Sequence, residues 1–256
     1  MKKWISLIVA ANLLTTWGTN TVFAEDDFQL GLGADFLSKY VWRGQNLVDD
    51  WVFQPLVTAG YKGFTASAWG NLDLTDENNN KGEFSEVDLT LDYSGPFPGL
   101  EALRYCLGFI YYDFPVSGAA DDTFEIYYGL NLDTLASPSV TIYHDVDQAD
   151  GTYVSLGVGH TLENVIDIAP DTPVSVDLGA TLGWASAAYN RFYWGLDDSK
   201  LNDLVLSASF PFDAAGWTIA PCIDYITLVS DNIRRTDAYG KDSDCFVVGV
   251  GISKQF

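Results

Sequence analysis

The residues that could do chemistry are mostly acids, set on one side of an alternating pattern. In Glu86-Val-Asp-Leu-Thr-Leu-Asp-Tyr93, Glu86, Asp88 and Asp92 alternate with Val87, Leu89, Leu91 and Tyr93. Successive side chains of an extended chain point to opposite faces. This spacing therefore puts three carboxylates on one face and four apolar side chains on the other. The same alternation sets Asp35, Asp73, Glu125, Asp145, Asp177, Asp203 and Asp224 opposite apolar faces. The bases expected on those acidic faces are Lys39, Arg43, Lys62 and Arg104. Four bases cannot pair so many acids in a low-dielectric interior, so the remaining acids need water or cations. Arg43 reads first as half of a structural ion pair, and alternatively as a ligand for a substrate carboxylate. Arg104 can pair with one of the acids on the neighbouring segment. Trp69, Tyr112, Tyr127, Tyr143 and Tyr153 share these faces. They either pack on one another or stack on sugar or nucleobase rings.

Other candidate chemistry falls away on spacing. Asp145-x-Asp147-x-x-Asp150-Gly151 resembles a calcium loop, but has one residue too many between its second and third acids and lacks the closing Glu. An acidic hairpin tip is expected there, and no metal site. His144 is followed two residues on by Val146, which cannot act as a nucleophile, and no Gly-x-Ser-x-Gly elbow accompanies His160. No catalytic residue and no cofactor are expected. Cys106, Cys222 and Cys245 form no CxxC or metal spacing, and their odd number leaves at least one thiol unpaired. A Cys222–Cys245 disulfide could span the last hairpin, but the inferred register does not set the two opposite each other.

The elements that must carry these faces are strands. Twelve segments alternate with period two: Phe28 to Arg43, Trp51 to Lys62, Phe64 to Leu74, Glu86 to Tyr93, and others around Leu103–Tyr111, Phe124–Leu132, Val140–Val146, Val154–Leu162, Val174–Trp184, Leu204–Phe212, Trp217–Tyr225 and Asp244–Phe256. The expected fold is all-β, a transmembrane antiparallel β-barrel of about twelve strands, with acids inside and apolar residues outside. Met1-Lys-Lys-Trp, the apolar run Ile5 to Leu14 and Val22-Phe-Ala24 read as a secretory signal peptide over residues 1–24, leaving 25–256 as barrel. No long apolar run follows, so no spanning helix is expected. The formal net charge of −22 excludes nucleic acid as a partner.

The connections support the same layout. Those after even segments are mostly tight, namely Gly63, Ser94–Pro98, Ser137–Ser139 and Asp213–Gly216, with a longer one near Asn164 to Pro173. Those after odd segments include long polar ones, Asp76–Gly82, Ala187–Asp198 and Asp231–Asp242. Tyr40, Trp42, Trp51, Tyr111 and Trp184 would form an outer aromatic girdle. Tyr61, Phe64, Tyr93, Trp217 and Phe256 would form an inner one. Pro55 and Pro221 fall inside segments, where each predicts a bulge or fraying.

Two stretches carry a family resemblance. Ser38-Lys-Tyr-Val-Trp-Arg-Gly-Gln45 resembles the Tyr-x-x-Arg-Gly signature of the TorF-type porins of Gram-negative bacteria. Gly151-Thr-Tyr-Val-Ser-Leu-Gly-Val-Gly-His160 resembles that family's Gly-x-Tyr-x-x-x-Gly-x-x-His segment. The final segment, with Gly251 five residues before Phe256, is similar to the C-terminal signal of outer-membrane barrels, with Lys254 where an apolar residue is usual. The resemblance implies a cell outer-membrane location and a barrel fold, and leaves the solute open. Expected partners are outer-membrane lipid and lipopolysaccharide, the barrel-assembly machinery through the last strand, and small polar or cationic solutes. The function expected is a porin-like channel for passive passage, preferring cations. The alternatives are a non-conducting structural or surface-binding barrel and, more distantly, a lipid hydrolase.

Overall fold

The computed structural model describes residues 28–116 and 120–256; the expected signal peptide lies outside them. β1 (Gln29–Leu37) leads into a short hairpin of β2 (Tyr40–Trp42) and β3 (Gln45–Val48). There follow β4 (Val52–Tyr61), β5 (Phe64–Asp73), β6 (Phe84–Phe97), β7 (Leu100–Asp113), β8 (Thr123–Leu132), β9 (Ser139–Asp145), β10 (Thr152–Ala169) and β11 (Thr172–Ala185). Helix α1 (Ala187–Trp194) separates β11 from β12 (Lys200–Ser209) and β13 (Phe212–Ala214). β14 (Trp217–Leu228), a turn of helix α2 (Asp231–Arg234) and β15 (Asp244–Gln255) complete the chain.

Every strand except β2 and β3 belongs to one antiparallel sheet. Sequence neighbours pair throughout, β10 with β11 included, and β15 pairs back to β1. The sheet is therefore a closed barrel. β12 and β13 are one strand interrupted at Phe210-Pro211, since both pair with β14 in a single register. The barrel thus has the twelve antiparallel strands expected from the alternation. Closure is completed where Phe256 and Leu30 exchange backbone hydrogen bonds. No described helix is long and apolar enough to cross a membrane.

The rims differ. At the end that holds Phe28 and Phe256, the turns are Lys62-Gly63, Pro98-Gly99, residues 133–138, Pro170-Asp171 and Ala215-Gly216. Lys62 and Gly63 have φ of 51° and 82°, and Ala215 and Gly216 have 52° and 78°. Positive φ at both positions gives the turn twist that matches paired strands. The opposite rim carries the longer loops, α1, α2 and the β2–β3 hairpin.

The molecule is apolar outside and polar inside. Leu89, Leu91, Leu107, Phe109, Ile126 and Val158 are exposed, while Glu86, Asp88, Glu125 and Asp203 are buried. Water would penalise such an outer surface, and an apolar surrounding would not. Aromatics mark the rims. Phe36 stacks on Trp51 at 4.6 Å on the loop side. Phe64 lies 4.6 Å from Tyr93 on the termini side. Lys254, the break in the last strand's apolar series, lays its ammonium over the rings of Phe256 and Trp217, at 5.0 and 5.6 Å. A lysine at a rim can keep its stem on apolar surface and its head in water.

Several expectations need correction. The first barrel strand stops at Leu37, not Arg43, because the chain turns into the lumen there. Tyr40 and Trp42 are accordingly buried, at 1% and 7% exposure, and take no part in the outer girdle. Ser94–Phe97 continues β6, so the turn is Pro98-Gly99. The long connection expected near 164–173 is the end of β10, carrying two register irregularities, and a two-residue turn. Pro55 and Pro221 fray the ladder, as expected, without shifting its register. The β4–β5 register is the same on both sides of the unpaired Gln54 and Pro55, and Pro221 lies at the interruption between β12 and β13. Lys62 is exposed in its turn rather than inside.

Face assignment has a direct energetic consequence. In lipid vesicles, Leu91→Lys, outward at mid-strand, should lower folding stability by about 2–4 kcal/mol, while Thr90→Lys on the inner face should change it far less. Urea titration of folding measures both; equal losses would overturn the assignment.

Candidate functional site in the barrel lumen

The Arg43-Gly44 turn carries the β2–β3 hairpin into the barrel. Arg43 has φ 49° and Gly44 φ 80°. Gly44 has a second constraint: a Cβ there would meet Leu228 Cδ2 at 2.6 Å and Asp203 Cβ at 3.0 Å. The tip thus packs against the wall formed by β12 and β14. Lys39 pairs with Asp49 across the hairpin's base. Tyr40 donates to Glu86 Oε2 at 2.6 Å, and Gln45 donates to the Tyr189 hydroxyl at 3.2 Å.

Arg43 is the centre of the arrangement. Its Nη1 and Nη2 each donate to one oxygen of Glu125, both at 2.7 Å. Tyr112 donates to the same carboxylate at 2.8 Å. The guanidinium carbon lies 4.5 Å from the ring centroids of Trp42 and Tyr143, 4.4 Å from Tyr153 and 5.8 Å from Tyr189. The pair is nearly inaccessible, with side-chain exposures of 7% and 1%. Burial works against the charge of Arg43, but Glu125 beside it outweighs that and holds the guanidinium above its ordinary range. Burial also pushes the phenols of Tyr189 and Tyr193 up, so neither sets an anion of its own there near neutral pH.

The aromatic wall follows from register. Tyr127 on β8, Tyr143 on β9 and Tyr153 on β10 are direct cross-strand partners. Tyr189 and Tyr193 join them from α1, which Ser186 caps by accepting from the Tyr189 N–H at 3.4 Å and which Gly195 ends at φ 66°. A Cβ on Gly151 would strike the Tyr189 backbone nitrogen at 2.5 Å, so that glycine lets α1 sit down on the wall. Tyr153 also donates to Asp203 Oδ1 at 2.9 Å.

Burial divides the lumen into two halves. Toward the loops, the inward residues Gln54, Asn71, Asp73, Glu86, Asp88, Tyr112, Glu125 and Asp203 are buried under the hairpin and α1. Toward the termini, Ser67, Thr90, Asp92, Cys106, Thr141, Thr181, Ser207 and Gly251 remain partly accessible. The loop half is filled, and the termini half is a smaller-residue vestibule that is partly accessible, with Thr58, Asp177 and Asp224 buried in its wall.

The inward acids divide accordingly. Asp73 accepts from Asn71 and Ser85, both at 2.9 Å. Glu86 is hydrogen-bonded to Asp88 as well as to Tyr40. Asp145 caps its own loop, accepting from the Asp147 and Ala149 N–H groups and from Thr123, so the acidic run that resembled a calcium loop is a self-capped turn. In the vestibule, Asp92 accepts from Tyr127 at 2.7 Å and Asp177 from Thr161 at 2.6 Å. Asp35 lies over Gly251, and Asp224 Oδ2 has no hydrogen-bond partner. Trp69 packs 5.7 Å from Tyr40. Arg104 pairs with none of Glu86, Asp88 or Asp92; it lies near the termini rim in the field of Asp133. His144 meets Thr152 and His160 meets the Leu135 carbonyl, both on the outer surface. All three cysteines are free.

The hairpin as the plug was missed from sequence; the 185–199 loop, which the sequence leaves free to lie in or out of the lumen, turns inward as the buttress α1. Their signals are the Arg-Gly pair between two short extended segments, Tyr40–Trp42 and Gln45–Val48, and the Ser186…Gly195 helix bracket.

These features define a closed twelve-stranded antiparallel barrel with a plugged polar lumen. No family model matches the chain, and no curated protein matches it significantly, so the TorF resemblance rests on its two motifs. Among solved structures, the KdgM porin is similar with TM-score 0.50 at 10% identity, over 89% of this chain and 99% of that one. Salmonella typhi OmpF in complex with daunomycin gives 0.34 at 11%, over 90% and 97%. The CymD monoaromatic hydrocarbon channel gives 0.34 at 10%, over 91% and 89%. The first establishes a porin-like barrel fold and nothing of the solute.

Removing either member of a buried ion pair strands the other charge, at about 3–5 kcal/mol. Arg43→Ala and Glu125→Gln should each destabilise the plugged state on that scale. The double variant should cost clearly less than the two singles together, as measured by denaturant titration of refolded protein. Additive costs would show that the pair does not hold the plug.

Proposed function

We propose that the protein is an outer-membrane, porin-like channel for small polar solutes, closed on its loop side by the β2–β3 hairpin. The observation that carries this is the divided lumen: a polar, partly accessible vestibule ends at an inserted hairpin that the barrel sheet does not need. A wall built for packing alone would fill both halves with large side chains. Here the termini half is lined mainly by Gly, Ser and Thr, with a few acids, Cys106, Arg104 and the single ring of Tyr127. The loop rim is taken as external and the termini rim as periplasmic, since longer external loops are usual. Cation preference follows if the vestibule acids Asp35, Asp92, Asp177 and Asp224 outweigh Arg104 in the path.

A second reading is a non-conducting barrel, and the buried plug is the observation that favours it. Bilayer recording separates the two. Wild type should conduct little or intermittently, and Arg43→Ala should open the pore and raise mean conductance several-fold. A folded Arg43→Ala protein that stays silent would leave the non-conducting barrel.

Selectivity has its own measurement. Under a potassium chloride gradient the reversal potential of the open form should show cation preference, weakened in the Asp92→Asn, Asp224→Asn double variant. The preference should fade toward 1 M salt, where the Debye length drops to about 3 Å. An anion-selective channel would transfer control of the path to Arg104.

Orientation is checked on intact cells. Cysteines placed at Asn79 and Asp237 should label with an impermeant reagent, and one at Ala215 should not. Labelling at Ala215 alone would invert the topology.

A further inference from the structure

We infer that the cage around Arg43 is a binding site for a small guanidinium-bearing solute, which enters by exchanging with the chain's own arginine. The inference rests on the channel reading for its route of access and names a substrate class for it.

The chemistry is selective. Glu125 offers both oxygens, at 2.7 Å each, to the two Nη atoms. That planar fork suits a guanidinium; an ammonium would present a point charge with no matching pair of parallel donors. Rings then face the cation at 4.4–5.8 Å, an arrangement that stabilises a desolvated cation. Three of the four rings, Tyr143, Tyr153 and Tyr189, belong to the wall and α1 rather than to the hairpin. So do Glu125 and Tyr112. If the hairpin withdraws, most of the site stays behind.

The present occupant is also separable. The β2–β3 hairpin is its own two-stranded sheet, with no strand pairing to the barrel. Arg43 sits at φ 49° in a two-residue turn like those at Lys62 and Ala215, so the turn sets its backbone and the side-chain contacts alone tie it to the wall. Withdrawal would leave Glu125 without its counter-charge among the remaining rings, and that favours a cation from solution. The wall between the accessible half of the lumen and the cage is aromatic. The tyrosine row runs from Tyr127, half-buried in the vestibule wall beside Asp92, through Tyr143 to Tyr153.

Arg43→Ala keeps Cβ, so ethylguanidinium replaces the atoms removed. With the folded variant in detergent, millimolar ethylguanidinium should raise the thermal midpoint and give a calorimetric binding signal. Neutral, similarly shaped ethylurea should do neither, and adding Glu125→Gln should abolish the effect. Equal responses to the two compounds, or none, overturn the site. If Arg43→Ala does not fold, its refolding yield is the readout: rescue by ethylguanidinium but not ethylurea supports the site, and equal yields overturn it. In the wild-type protein, ethylguanidinium should speed amide hydrogen exchange across residues 39–48 severalfold. Unchanged exchange overturns the displacement of Arg43. Conductance stands apart from these readouts. Binding without conductance at any concentration would sink the channel reading and keep the cage; conductance without binding would do the reverse.

Discussion

The buried fork between Arg43 and Glu125 is the interaction on which the interior depends. A barrel whose inward faces are acidic must answer its charge from inside, because the surroundings of its outer face cannot do so. Toward the termini, water can reach Asp35 and Asp92. Toward the loops, Glu86, Asp88, Glu125 and Asp203 are sealed in. The hairpin supplies Arg43 to Glu125 and the Tyr40 hydroxyl to Glu86. It answers charge and excludes water together, and the exclusion is what makes the ion pair strong. Neither effect stands without the other, so the loop half is sensitive to single changes at its centre.

The wall has a geometry to match. Cross-strand register alone aligns Tyr127, Tyr143 and Tyr153 into a row, and Gly151 lets α1 add Tyr189 above it. The two stretches that resemble TorF-type porins are the two sides of this contact. Tyr40, Arg43 and Gly44 are the plug's anchor, fork and turn. Gly151 and Tyr153 are the buttress seat and the ring beneath the guanidinium. Both motifs thus have a mechanical reason in this chain, whatever its family.

Most of the barrel was legible because a strand's faces alternate with a fixed period. Val87, Leu89 and Leu91 against Glu86 and Asp88 leave one choice of face, and the same logic gave twelve strands and the rim at which both termini lie. Strand ends were less legible. Tyr40 and Trp42 continue the alternation of Phe36 without a break, so periodicity cannot tell a strand that runs on from one that turns inward after Leu37. The difference lies in Arg43-Gly44, a turn pair whose meaning depends on Asp203 and Leu228, distant in sequence. Arg43 was legible as half of an ion pair, but its partner was not, since Glu125 is 82 residues away and on another strand. Long-range partners among many acids of similar pattern cannot be ranked by spacing.

The division of the lumen also bears on how such a protein could open. Barrel closure uses the backbone hydrogen bonds of all twelve strands, so no strand can leave without exposing unpaired groups in an apolar surrounding. The hairpin has no such obligation. Its backbone bonds are internal, and its hold on the wall is by side chains. Local openings draw on the least cooperative elements of a structure, and here that element is the plug. Motion confined to β2 and β3 would connect the vestibule to the loop rim while the sheet stays intact. The barrel supplies rigidity, and the side-chain contacts of the hairpin, chiefly one guanidinium, set how firmly it is closed.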